Sequence, residues 1–143
     1  MAFPILSLMT FIPTAGAVGI YFLSQSKNCN KVDEYTKFIA LFATLLTFLV
    51  SLVLWYNFDT SSADIQFLEK KDWITDYNVH YSMGVDGLSI LFVLLTTFLM
   101  PICIISSWNS IKMRIQEYMM AFLLMETMIL GVFCSLDLLL FYV

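Results

Sequence analysis

Four apolar runs, each about 20 residues long and free of lysine and arginine, restrict what this chain can fold into. They are Phe3 to Ser24, Phe38 to Phe58, Leu88 to Ser107 and Tyr118 to Leu136. A helix rises about 1.5 Å per residue, so about 20 residues cross the hydrocarbon core of a bilayer. Inside lipid every backbone N–H and C=O must be satisfied within the segment, and a helix does this. The expectation is an all-α membrane protein with a helix for each run. Composition agrees: 60% of the residues are hydrophobic and 13% are charged, about half the charge of a soluble domain. The first run follows Met-Ala-Phe-Pro with no positive charge and is too long for the apolar region of a signal peptide, so it reads as a retained helix.

Several function classes fall away. The seven basic residues are scattered, whereas nucleic-acid binding needs them clustered. Cys29, Cys103 and Cys134 are too far apart for a metal site or a redox pair and read as small apolar residues. There is no glycine-rich phosphate loop, no nucleophile beside a base and no ligand cluster, so a self-contained enzyme is not expected.

Pro13 and Pro101 lie inside the first and third runs. In a bilayer, neighbouring helices and Ser or Thr side chains can satisfy the freed carbonyl, so a kink is expected at each, not a break. Lys27, Lys31 and Lys37 lie at the first connection, and Lys112 and Arg114 at the third. Lysine and arginine in short loops mark the inner side of a membrane, which places the N-terminus outside. The second connection, Asp59 to Gly87, carries six acids and two lysines, a net −4 that equals the charge of the whole chain. Within it, Ile65–Leu68 and Val79–Met83 read as short strands around a polar turn, forming a small hairpin on the outer face. His80 falls in the second strand and reads as structural, with a metal or proton role as the alternative.

Glu126 is the one charged residue within the four runs, near the middle of the fourth. An acid at mid-bilayer costs about 2.5–3.5 kcal/mol on insertion scales, which makes it a candidate proton-relay carboxylate. The alternative is a carboxyl hydrogen-bonded to a neighbouring helix as structural glue. Its neighbours along the helix, Met119, Leu123, Leu130 and Phe133, are apolar, so a partner must come from another helix. No Lys, Arg or His lies inside any run, so this chain cannot assemble a charged relay alone. Asp86 stands before the third run and Asp137 before Leu138–Val143; both are placed to cap helix N-termini. A proton-access role is the alternative for each. Leu138–Val143 reaches only about 9 Å as helix, and a free carboxylate there would sit in hydrocarbon. It is therefore expected to be the cut-off start of a fifth helix, supplied in full by a longer protein.

The stretch from Tyr81 through Gly84-Val85-Asp86-Gly87-Leu88-Ser89-Ile90 leads into Thr96-Thr97-Phe98-Leu99-Met100-Pro101-Ile102-Cys103. With Glu117-Tyr118, Glu126 and Gly131 to Val143 in the same order, and Gln66-Phe67-Leu68-Glu69 before Trp73, it resembles chain M of bacterial NADH–quinone oxidoreductase. The same subunit is chain 4 of mitochondrial respiratory complex I. The likeness covers residues 48 to 143; the first two runs match in position and topology more than in letters.

The resemblance implies that residues 1–143 are a single transmembrane region, the N-terminal part of an antiporter-like subunit that moves protons. It also implies that other membrane subunits of the complex are its partners. NADH, FMN, Fe–S clusters and quinone would be held by other subunits, with no cofactor bound by this chain. The family's main channel glutamate would fall just beyond Val143, while Glu126 matches an acid of close relatives. The setting implied is a bacterial plasma membrane or a mitochondrial inner membrane. Two rivals remain open: a subunit of a multisubunit sodium/proton antiporter, and a non-transporting membrane scaffold.

Overall fold

The structure, a computed structural model, describes residues 4–26 and 31–143. Lys27 and Cys29, as well as Phe3 at the start of the first run, lie outside the described residues. Four long helices follow the four apolar runs: α1 (Ile5–Gln25), α2 (Val32–Tyr56), α3 (Gly87–Ser106) and α4 (Ile115–Cys134). All four are long and apolar enough to cross a membrane. A short α5 (Leu138–Tyr142) follows. Neither proline breaks its helix: α1 runs through Pro13 and α3 through Pro101. α2 begins six residues before the apolar run does, at Val32, because Asp33 and Glu34 suit the positive end of a helix dipole as well as they suit water.

Helix α1 packs against α2 and α4, and α3 packs against the same two. α1 and α2 approach closely at Gly16: a Cβ built there would lie 2.8 Å from Ala43 Cβ. Small residues allow such approach, and it compensates for the weak hydrophobic drive between helices in lipid. At one end of the bundle, Lys37 Nζ donates to the Trp108 carbonyl at 2.6 Å and lies 5.6 Å from the Trp108 ring centre. This ties the start of α2 to the α3–α4 connection.

At the opposite end stands a two-stranded antiparallel sheet of β1 (Gln66–Ile74) and β2 (Val79–Val85). The first strand runs well past Leu68, so Lys70 and Lys71 lie in the strand and not in a turn. The turn is the single 3-10 turn Thr75–Tyr77, closed by Asn78 in the left-handed region, which asparagine tolerates. Register slips between Gln66 and Glu69, where Phe67 takes φ 55°. A bulge of this kind bends a strand and re-aims its side chains. The far side of β2 meets the end of α4 through a Met83–Ser135 bridge and a Leu136 N–H bond to the Ser82 carbonyl at 2.9 Å.

The buried core is not continuous. Near the sheet, one apolar cluster holds Leu6, Met9, Leu54, Ile90, Val93, Leu130 and Cys134. Toward the other end a second holds Ala17, Ile20, Ala40, Ala43, Ile104, Met119 and Leu123. Between them lie buried hydroxyls, two prolines, Met100 and one acid.

Candidate functional site: a polar layer across the bundle

Each helix crosses from one apolar cluster to the other through a hydroxyl, a proline or an acid, joined on α3 by the buried Met100. On α4 the buried stripe is Ile115, Met119, Leu123, Glu126, Leu130 and Cys134, recurring every three or four residues as a core-facing helix stripe does. Glu126 therefore occupies a core position, between Leu123 of one cluster and Leu130 of the other. On α1 the same interval holds Thr10 and Pro13; on α2, Thr44, Thr47 and Ser51; on α3, Thr97 and Pro101. All are buried, and Glu126 is 0% exposed.

The hydroxyls of the layer are largely satisfied. Ser51 and Thr97 meet across the α2–α3 interface at 2.9 Å. Thr47 donates to the Ala43 carbonyl at 2.9 Å, and Thr10 to the Ser7 carbonyl at 2.9 Å. Thr14 on α1 meets Thr127, the residue after Glu126, at 2.9 Å. The two prolines add acceptors, because Pro13 lacks the N–H that would close a helical bond to Met9 and Pro101 the one for Thr97. Glu126 differs: neither carboxyl oxygen has a hydrogen-bond partner among the described residues. Buried polar atoms are nearly always paired, so an unpaired one calls for an explanation. The buried core positions that α1, α2 and α3 carry between the same two clusters bear no charged side chain.

The remaining candidates sit at the sheet end and have local roles. Asp86 caps α3, accepting from Ser89 N–H at 2.7 Å, and this bond holds its carboxyl below the ordinary carboxylate range. Asp137 caps α5, accepting from Leu139 N–H at 3.0 Å and from His80 N–H at 3.2 Å, and the Leu139 bond lowers it likewise. His80 Nδ1 lies 2.9 Å from Asp72 Oδ1 across the hairpin. Cys134 is buried in the core, and Cys103 faces outward from α3. Among the described residues no three His, Cys, Asp or Glu side chains converge on a metal-sized site.

Sequence reasoning missed one side chain. Glu69 in β1 reaches the N-terminus of α1, accepting from Leu6 N–H at 2.8 Å and Ser7 N–H at 3.3 Å, and it also receives the Ser7 hydroxyl. Ser7 Oγ in turn lies 3.0 Å from the Tyr81 hydroxyl. Burial pushes the Tyr81 phenol above its ordinary value, so it stays neutral. These contacts join residues more than sixty positions apart, a distance no local pattern spans.

The model of the family described as NADH-ubiquinone oxidoreductase chain 4, amino terminus, matches residues 3–135. The chain belongs to this family. It is 48% identical over 138 residues to NADH-quinone oxidoreductase subunit M of Rhodobacter capsulatus, a match covering 96% of this chain and 26% of that protein. NADH-ubiquinone oxidoreductase chain 4 of Arabidopsis thaliana is 44% identical over 138 residues, 96% of this chain and 27% of that one. Subunit M of Rickettsia typhi is 40% identical over 140 residues, 97% and 28%. The chain thus spans about a quarter of the length of the curated relatives it matches. With its four membrane-spanning helices, this member of the chain 4 family is an integral membrane protein.

Proposed function

We propose that these helices are the N-terminal part of a proton-translocating subunit of NADH–quinone oxidoreductase, and that Glu126 relays protons within it. Electron transfer from NADH to quinone, in partner subunits carrying FMN and Fe–S clusters, supplies the energy. This chain binds none of those groups. Its partners are the other membrane subunits of the complex and the remaining helices of its own subunit. The end bearing Lys31, Lys37, Lys112 and Arg114 faces the cytoplasm or matrix. The hairpin faces the periplasm or intermembrane space. The excess of basic residues in the short connections supports this orientation.

The observation that carries the relay reading is the unpartnered Glu126 carboxyl, fully buried at a core position between the two apolar clusters. Structural glue would show a hydrogen bond to a facing helix. Glu126 shows none among the described residues, although α1, α2 and α3 each bury a Thr or Ser between the same two clusters. A carboxyl not committed to such a bond can take up a proton and pass it to a hydroxyl or water that comes within reach. The test is Glu126→Gln in the full-length subunit assembled into its complex. The substitution keeps size and hydrogen-bonding capacity and removes the exchangeable proton. Proton translocation is expected to fall with assembly intact, and to fall further when the acid the family carries on its fifth helix is replaced as well. Normal pumping in both variants reduces Glu126 to a packing residue.

A further inference from the structure

We propose that Glu69 is the hairpin-side terminus of a proton path that runs along α1 to Glu126. The inference rests on the relay reading of Glu126 and extends it to residues and an element to which that reading assigns no part. Three hydroxyls on α1, Ser7, Thr10 and Thr14, are spaced i, i+3 and i+7 and so share one face of the helix. At the sheet end of this stripe, Ser7 Oγ donates to the Glu69 carboxylate and lies 3.0 Å from Tyr81 OH. At its deep end, Thr14 Oγ1 lies 2.9 Å from Thr127 Oγ1, one residue beyond Glu126. Thr10, between them, is 4% exposed and lies in the polar layer.

Along the axis the steps are about 4.5 Å from Ser7 to Thr10 and about 6 Å from Thr10 to Thr14. One water bridging two hydroxyls covers the first step and two waters cover the second, since each hydrogen bond is about 2.8 Å long. A further water joins Thr127 to the Glu126 carboxyl, which has no hydrogen-bond partner among the described residues. A proton leaving Glu126 leaves a carboxylate behind. Each hydroxyl or water takes a proton on a lone pair and releases its own, and Glu69 is protonated at the end. Glu69 has a way to discharge it. A cavity of about 940 Å³ is lined by Ser7, Glu69 and Tyr81, with Phe11, Lys70 and Trp73 also on its walls. The register slip at Phe67 bends β1 just before Glu69.

The test uses the complete complex in sealed vesicles, reading proton translocation together with NADH oxidation and assembly. Glu69→Gln keeps an acceptor oxygen for the Leu6 N–H and loses the exchangeable proton. Thr10→Val keeps the branched shape and removes the hydroxyl at a position that makes no hydrogen bond to the hairpin. Each is expected to slow translocation by about a hundredfold, the low end of what loss of a positioned proton-transfer group costs. Glu69→Asp should recover part of the rate. Should Glu69→Gln block assembly, Thr10→Val and Ser7→Ala carry the test. If Glu126→Gln stops pumping while either Glu69→Gln or Thr10→Val leaves it normal, the α1 path is wrong and the relay reading stands. If Glu126→Gln also pumps normally, the relay reading itself fails and this inference falls with it.

Discussion

At the scale of single residues, Glu126 sets function against stability. Its carboxyl is buried with no partner among the described residues, and a buried polar group left unsatisfied costs about 1–3 kcal/mol. Leucine fills a similar volume in a stripe whose neighbours are Leu123 and Leu130. Glu126→Leu should therefore raise the stability of the helix bundle by about 1–3 kcal/mol, measured by SDS-driven unfolding in mixed micelles. Glu126→Gln, which leaves a polar group in the same place, should show no such gain. A destabilised leucine variant would mean that the carboxyl has partners that matter to the fold. Glu126 itself was legible in the sequence, because a lone acid in an apolar run stands out on hydropathy alone. The hydroxyls buried between the clusters, Thr10, Thr44, Thr47, Ser51 and Thr97, were not read from the sequence, because hydroxyls in membrane helices pass for neutral filler. Glu69 was not legible either: its importance comes from a contact with α1, and it reads locally as one acid among several in a polar loop.

At the scale of elements, the four long helices were readable because the bilayer imposes one length and one solution to the backbone hydrogen-bond problem. Their ends were less so. Where water begins, Asp33 and Glu34 can continue a helix as readily as leave it, and α2 keeps them. β1 ran past Leu68 for a related reason. Glu69, Lys70, Lys71 and Asp72 have weak strand propensity, and pairing with β2 overrides it. The pair Gly16 and Gly19 separates helix propensity from helix packing. A methyl on Gly16 would meet Ala43 Cβ at 2.8 Å, and alanine has no rotamer by which to yield. A methyl on Gly19 meets nothing within 4 Å. Gly16→Ala should therefore push α1 from α2 and destabilise the bundle, by about 1–3 kcal/mol as overpacking does. Gly19→Ala should be neutral or stabilising by up to about 1 kcal/mol through helix propensity. Parallel unfolding curves in the same micelles check both, and equal effects would show that the α1–α2 contact is not tight at Gly16.

At the scale of the whole molecule, the chain buries two apolar clusters and is apolar over much of its outer surface as well. Thr36, Thr44, Thr47, Ser51, Thr97 and Glu126 are buried, while Phe22 and Phe42 are 67% and 68% exposed. Such a surface needs lipid or other helices around it, and the direction in which it sits is set by charge at the two ends. The end formed by the start of α2 and the α3–α4 connection carries Lys31, Lys37, Lys112 and Arg114, with Trp108 held against Lys37 at the level where aromatic and basic side chains anchor to headgroups. The end formed by the hairpin holds the acidic connection, net −4. Ser61, just past α2, and Ser110, between α3 and α4, are both exposed and lie at opposite ends. With the three native cysteines replaced, a single cysteine at Ser61 should react with a membrane-impermeant maleimide added to intact cells or mitoplasts. A single cysteine at Ser110 should react only in inverted vesicles. Labelling of position 110 from the outside would reverse the proposed orientation. The Glu69 cavity would then open on the side that supplies protons, and the α1 path would carry protons toward Glu126 instead of away from it.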